Sequence, residues 1–387
     1  VRIYLDHNAT TMPYPAVVDT VTRVLRDGFG NASSVHAFGQ DAKAELDDAR
    51  GRVASLIDAE PSEVVFTSGG TEADNFALHG TVEALAASGR RRLITTGIEH
   101  EAVLVTVRAL ERAGHPVTIL PVGASGVVDP AALEAAITKD TAVVSVMHAN
   151  NEVGTIQPIA ELAAIAKAHG ALFHTDAVQS VGKIPVSARS LGIDLLSLSG
   201  HKFGGPKGTG ALWVRRAVRI FPFMTGGKQE RSRRAGTENV PGLAGLGVAA
   251  TAARESLAKM PALAALRDEL EREILAKVPG TTVNGDPTRR VPNTTNISFD
   301  GIEAESLLIA LDLEGVAVST GSACSSGSLE PSHVLRAMGL AHARTRNSLR
   351  FSLGLSNTRD EIAFVVGKLP VLVEKLRRLT ATAAALR

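Results

Sequence analysis

Three short stretches of this chain place reactive side chains where a strand should end. In HTDAVQ, Asp176 and Gln179 lie just past an apolar run, Ala171–Thr175. In SLSGHK, Ser199, His201 and Lys202 lie at or just past the end of a run that starts at Leu195. Asn150 and Asn151 follow the strongly apolar Ala142–His148 (AVVSVMH). A fourth run, Val64–Thr67, leads into Ser68-Gly69-Gly70-Thr71, a tight turn before a helix expected from Glu72 onward. Gly70 and Thr71 would then sit at a helix N-terminus, where free N–H groups and the helix dipole favour a phosphate. His100 follows the turn after Leu93–Thr96. Parallel sheets bind ligands at such strand ends.

A lysine at the end of a buried strand, among Ser, His and Gly, is unusual. Desolvation lowers its pKa and favours the neutral amine, which forms a Schiff base with a carbonyl. Pyridoxal phosphate is the cofactor held by such an amine, and it needs three supports. Asp176 can face the pyridine nitrogen. Gly70, Thr71, Ser199 and His201 can surround the phosphate, and His100 can pack on the ring. Each residue alone has a plainer reading. A lone Asp at a strand end is more often a helix cap, a lone Lys is usually solvated, and a lone His is more often structural. Together, at these strand ends, they are far more specific.

The elements that must position them alternate as short apolar runs and longer helical patterns, which predicts βα units around a mainly parallel sheet. Val117–Leu120 and Gly210–Val214 are further strands, and Ile159–His169 has helical spacing. After about Glu255 the texture changes. An amphipathic stretch, Leu263–Lys277, precedes the alternating strand Asn293–Phe299, the helix Glu303–Leu311 and the strand Val316–Ser319. Arg350–Leu353 and a helix from Arg359 complete the chain. The expected fold is α/β, with a large domain over 15–255 and a smaller α+β domain from 1–14 plus 256–387. At 387 residues, two cores are expected.

Composition excludes other classes. With 41 basic and 40 acidic residues and 4% aromatics, no field or stacking platform for nucleic acid is expected. Val1–Thr11 is polar from Asp6 onward and lacks a signal-peptide stretch. No apolar run approaches the roughly 20 residues of a membrane helix, and the smoothest, Gly242–Ala253, ends at Arg254. One cysteine allows no internal disulfide, so the cytoplasm is the expected location. Gly204–Gly210 (GGPKGTG) and Gly227-Lys228 lack the spacing of nucleotide-binding loops. His100-Glu101 lacks the second His of a zinc protease, Leu104 standing in its place, and no metal site is visible.

The chain resembles the pyridoxal-phosphate-dependent cysteine desulfurases of the nitrogen-fixation and iron–sulfur-assembly type, in the class V aminotransferase fold. The matching segments span nearly its whole length: YLDHNATT (4–11), FGNASSVH (29–36), FTSGGTEADN (66–75), EHEAVL (99–104), MHANNEVG (147–154), HTDAVQSVGK (174–183), SLSGHKFGGPKG (197–208), GGKQERSRRAGTEN (226–239), TGSACSSGSLEPSHVLRAMG (320–339) and SLRFSLG (348–354). The resemblance implies a type I pyridoxal-phosphate-transferase fold. It makes Lys202 the Schiff-base lysine and sets Asp176 and Gln179 at the pyridine nitrogen and ring hydroxyl. It puts Gly70, Thr71, Ser199 and His201 around the phosphate and His100 on the ring as an acid/base. Asn151 and Arg350 would bind the carboxylate of L-cysteine. Thr237 would reach a partner subunit's phosphate in a homodimer. Thr320 replaces a commoner Ser, Leu355 stands where Arg is common, and Lys228 where Gly is common.

Cys324 matches the family's persulfide-forming nucleophile. A free cysteine is usually a buried filler, but this one lies among small and polar residues bracketed by Gly321 and Gly327, which suits a loop that carries sulfur outward. An iron–sulfur scaffold or another sulfur acceptor is the implied partner. A selenocysteine lyase or an aminotransferase would use the same fold, and a sulfur carrier without catalysis would need only the Cys324 stretch. Arg231, Arg233 and Arg234 form either a solvated loop or an interface turn near Thr237.

Overall fold

The computed structural model describes residues 2–320 and 331–385. Its apolar runs form β1 (Ile3–Tyr4), β2 (Val64–Thr67), β3 (Arg92–Thr96), β4 (Val117–Leu120), β5 (Thr141–Ser145), β6 (Leu172–Asp176), β7 (Leu195–Ser199), β8 (Gly210–Val214), β9 (Thr281–Asn284), β10 (Thr294–Phe299), β11 (Val316–Ala317) and β12 (Ser348–Ser352). Seven of them make one sheet in the order β2-β8-β7-β6-β5-β3-β4. The β7-β6-β5-β3-β4 pairings are parallel, and β8 runs antiparallel to both β7 and β2. Every residue of β2, β5, β7 and β8 is buried, because helices cover both faces of the sheet. This is the expected α/β architecture of a type I pyridoxal-phosphate-transferase fold.

Alternation along the strands divides the large core. Val64, Phe66, Leu196 and Leu198 pack with the helices Ala37–Leu56 and Val240–Ser256, whereas Val65, Leu195 and Leu212 pack with Phe76 and Ala77 of the helix Gly70–Leu85. The small-residue run Gly242–Ala253 lies within the helix Val240–Ser256. A Cβ on Gly247 would come within 2.6 Å of Ala49 Cα, so glycine sets the close packing of the two helices. Among the described residues, no helix is long and apolar enough to cross a membrane.

A second core surrounds the antiparallel sheet β12-β10-β9, packed by the helices Met260–Lys277, Ala304–Leu313 and Arg359–Ala385. Ile3 and Leu5 belong to this core, β1 pairs parallel with β11, and Asp6 bridges to Ser352. The N-terminal segment therefore joins the last third of the chain.

Several boundaries differ from the sequence reading. The helix expected from Glu72 begins at Gly70, since Gly69 already accepts from the Ala73 N–H. The ladder of β5 ends at Ser145, although Val146 and His148 still donate to carbonyls of β6. Ser319 leaves β11 and pairs with Arg350 instead. Two strands form no apolar run that would mark them: β1 is two residues long, and three of the four residues of β9 are polar.

Candidate active site

Lys202 closes the 3-10 turn Gly200–Lys202 that follows β7. Its Nζ donates to the carbonyls of Asn8 and Ala9, at 2.7 and 2.9 Å. Residues 8–11 wrap this turn. Thr11 donates to His201 O through both its N–H and its Oγ1, and Thr11 Oγ1 accepts from Gly204 N at 2.7 Å.

Asn8, to which the sequence reading gave no role, is the hub of the site. Its carbonyl also accepts from Gln179 Nε2 at 3.0 Å, and its Oδ1 accepts from Lys183 Nζ and Asn293 Nδ2. Its Nδ2 donates to Asn151 O and Thr294 Oγ1, and its N–H to Ser352 Oγ. Three of the expected site residues, Lys202, Gln179 and Asn151, thus meet on one side chain and its carbonyl. A cleft of about 240 Å³ opens beside Lys202, lined in part by His7, Tyr14, Lys183, Phe203 and Leu355. Leu355, the departure from the family's arginine, lines that cleft.

Asp176 ends β6 and is buried. Burial raises its pKa, while His100, the Val178 N–H and Lys202 pull it back down. Two more buried carboxyls flank it. Glu99 accepts from Thr96 Oγ1 and from the Met147 N–H, and burial, with Asp176 nearby, pushes it up to about 8. Asp74 is raised by burial and by Asp176, and lies 3.6 Å from His174. His174 sits between Ser145 Oγ and Ser197 Oγ, with burial lowering it to about 3. A ring nitrogen placed against Asp176 would be a partner that relieves this crowding.

Ser199 and Gly70 form the floor of the turn before the helix Gly70–Leu85. A Cβ on Gly70 would meet Val178 Cγ2 at 2.7 Å and Ser199 Cβ at 3.6 Å, so glycine keeps this seat open. His201 is held by Thr10 Oγ1 at 3.1 Å, and burial, with Lys202 and Lys207 nearby, lowers it to about 4. It is therefore neutral near pH 7 and able to donate one hydrogen bond. Thr71 is exposed at the second position of the helix. His100 caps the helix Glu101–Arg112, with Nδ1 accepting from Ala102 N at 3.1 Å.

Arg350, on β12, donates from Nη2 to Asp6 Oδ1 at 2.6 Å and from Nη1 to Asn151 O at 3.0 Å. Among the described residues, Arg350 Nε and Asn151 Oδ1 are buried without a partner. Orphaned polar atoms of this kind are costly unless a ligand completes them.

Thr237 is exposed. Arg234 pairs with Glu72 at the start of the helix Gly70–Leu85, and Arg231 and Arg233 both donate to Ser62 O in the 3-10 turn Pro61–Glu63, so the arginine run anchors its own turn at two places. Cys324 lies outside the described residues. The described ends of its stretch are both tied to the site. Ser319 exchanges backbone hydrogen bonds with Arg350, Ser332 Oγ donates to Glu152, and His333 Nε2 meets Glu99 O at 2.9 Å.

Residues 3–365 match the family model described as aminotransferase class-V. The chain belongs to the class-V aminotransferase family. Within that family it groups with cysteine desulfurases. It is 50% identical over 381 residues to the cysteine desulfurase of Trichormus azollae, covering 98% of this chain and 94% of the relative. A solved NifS-like protein superposes with a TM-score of 0.91 at 37% identity, over 97% of this chain and all of that one. A structure described as SspA in complex with cysteine gives a TM-score of 0.80 at 36% identity, over 91% of this chain and 98% of that one. The class-V cofactor, pyridoxal phosphate, suits the residues present: an amine at Lys202, a crowded carboxyl at Asp176, an open helix start at Gly70 and orphaned atoms at Asn151 and Arg350.

Proposed function

We propose that this chain is a pyridoxal-phosphate-dependent cysteine desulfurase. It converts L-cysteine to L-alanine and passes the sulfur to Cys324 as a persulfide, from which an acceptor for iron–sulfur cluster or other thio-cofactor assembly takes it. The convergence of Lys202, Gln179 and Asn151 on Asn8, beside Asp176 and Arg350, carries this reading. The cysteine desulfurases of 50% identity support it.

Lys202 would hold the cofactor, Asp176 its ring nitrogen, Gln179 its ring hydroxyl, and Gly70, Thr71, Ser199 and His201 its phosphate. When bound, pyridoxal phosphate supplies an electron-withdrawing ring that stabilises negative charge at the substrate Cα. The remaining work falls to the chain. Arg350 fixes the substrate carboxylate through its guanidinium, whose Nε is left over for it, and Asn151 adds an amide N–H. The Lys202 amine takes the Cα proton, and His100 places protons on the ring side of the site. The Cys324 thiolate forms the S–S bond as the Cβ–S bond of the substrate breaks. The electron pair stays on carbon and, once protonated, becomes the methyl group of alanine.

A homodimer is part of this reading, with Thr237 facing the partner's phosphate. The exposed Phe29, Phe38, Phe221 and Phe223 support a covered face. The domain division at 15–255 against 1–14 plus 256–387 is supported by the two separate cores, the second of which includes Ile3 and Leu5. A cytoplasmic location is supported by the single cysteine.

The test is alanine and sulfide formation from L-cysteine with a reductant, comparing wild type with Cys324→Ala. Wild type should release both in equal amounts, and the variant should keep its cofactor colour but release no sulfide. A yellow wild type that makes neither product overturns the reading. Normal sulfide release by Cys324→Ala overturns the nucleophile assignment alone.

A further inference from the structure

Lys183 is a charged side chain at the site for which the chemistry above has no use. It lies in the turn after β6, is 6% exposed, and donates to Gln179 Oε1 at 2.5 Å and to Asn8 Oδ1 at 2.8 Å. Burial, with Lys202 and Arg350 nearby, lowers its proton affinity well below that of an ordinary lysine. A buried amine is costly, and an apolar side chain of similar length would pack there at less expense. The amine carries three hydrogens when charged and two when neutral, so it can serve both acceptors in either state.

A glutamine amide has two orientations of nearly the same shape, differing in which side donates. At Gln179 the neighbours specify one of them. The oxygen meets Lys183, and Nε2 donates to Asn8 O at 3.0 Å. Nε2 carries a second hydrogen, so the held amide has a donor left for a ligand. Were the amide reversed, Nε2 would face the Lys183 amine and Oε1 would face the Asn8 carbonyl.

We propose that Lys183 is a positioning residue that locks the Gln179 amide, so that Gln179 presents an N–H rather than an oxygen to the ring oxygen of the cofactor. This rests on the pyridoxal-phosphate reading. Without Lys183 only the Asn8 carbonyl opposes the reversed amide, so orientations that turn the Gln179 oxygen toward the anionic ring oxygen become populated. That favours the protonated form of the bound chromophore.

The experiment is a pH titration of the visible absorbance of cofactor-loaded protein in four forms: wild type, Lys183→Met, Gln179→Ala and the double variant. The other titratable neighbours of Lys183, namely Lys202, Arg350 and His7, are the same in all four. Lys183→Met should move the midpoint upward by about one pH unit, the size expected from one hydrogen bond to a charged group. In the Gln179→Ala background it should move it by less than about 0.3 unit, since the group it acts through is gone. A shift of equal size in both backgrounds, or in neither, overturns the proposal. Thermal unfolding of the cofactor-free proteins separates this from a packing role, which would lower the melting temperature without that dependence on Gln179. Should Lys183→Met not fold, Lys183→Leu, which also lacks a donor, is read in the same way. A wild type that takes up no cofactor stays colourless and refutes the earlier reading instead.

Discussion

Two buried arginines in this chain are satisfied to different degrees. Arg50, in the helix Ala37–Leu56, is 7% exposed and donates to the two Glu230 oxygens from Nη1 and Nη2, each at 2.7 Å. It also donates to Val64 O, and its guanidinium lies 4.4 Å from the centre of the Phe66 ring. Glu230 takes a further hydrogen bond from Phe66 N at 2.9 Å. Arg350 is 2% exposed but, among the described residues, its guanidinium meets only one oxygen of Asp6 and one backbone carbonyl. Among the described residues both leave Nε without a partner, but only Arg350 has a second orphan beside it, in Asn151 Oδ1. A fork-to-fork pair closed on both sides is a clamp. A pair closed on one side is a receptor.

The clamp has something to hold. Glu230, Arg231 and Ser232 all have left-handed backbone angles, with φ of 48°, 59° and 62°. Each non-glycine residue in that region costs about 1–3 kcal/mol, and the turn leads toward Thr237. The largest expected effect therefore falls on Arg50. Arg50→Ala strands the Glu230 carboxylate and should lower the unfolding free energy by about 3–5 kcal/mol, read from urea denaturation of the cofactor-free protein. A loss below about 1 kcal/mol would erase the contrast with Arg350.

Glu99 sharpens the contrast, because both its oxygens are engaged but by neutral donors. Its folded pKa of about 8 lies above the 4.5 of the free group. Its stabilising contribution is thus fully present below pH 4.5 and is lost as pH rises through 8. Between pH 6 and pH 8 wild type should lose about 2 kcal/mol through this group, measured by urea unfolding at each pH. In Glu99→Gln that part of the slope should vanish. An unchanged slope would show that Glu99 does not hold its proton in the folded chain.

Arg350→Lys keeps the charge but loses the planar fork. The KM for L-cysteine should rise by about tenfold or more, with a smaller change in kcat and a smaller loss of stability than Arg50→Ala. A fall in kcat alone would move Arg350 from substrate binding to another role. The smallest effect is expected at Asp6, whose carboxylate occupies the Nη2 that a substrate carboxylate would use. Asp6→Asn should lower KM by roughly two- to threefold, and a tenfold rise would make Asp6 a partner of the substrate rather than its competitor.

Much of this was legible in the sequence because the signals were local. β2, β4, β7 and β8 start and stop where their apolar runs do, since β-branched residues and flanking turns mark them within a few positions. Lys202, Asp176 and Gln179 were readable because a strand end is itself a local feature. Asn8 was not. Its partners lie between 143 and 344 residues away, and nothing in YLDHNATT distinguishes it from a turn asparagine. Lys183 carried one faint signal, its spacing of four from Gln179, which brings side chains together in a tight turn. Glu99 and Asp74 were hidden for the opposite reason. Their effect is a shared field around Asp176, and only the packing of three elements creates it.

Asn8 also sets the order in which the site can come into being. On the ribosome it is made before the central sheet, whereas Asn293, Thr294 and Ser352 are synthesised after that entire sheet. Contacts this far apart in sequence carry a large closure cost and form late. A chain ending at residue 255 would hold Lys202, Gln179 and Lys183 against Asn8, yet that asparagine would lack Asn293, Thr294 and Ser352. Asn8 thus ties the lysine turn of the large core to the sheet of the second core, and the seat of Lys202 is shared between two parts of the chain that are made at different times.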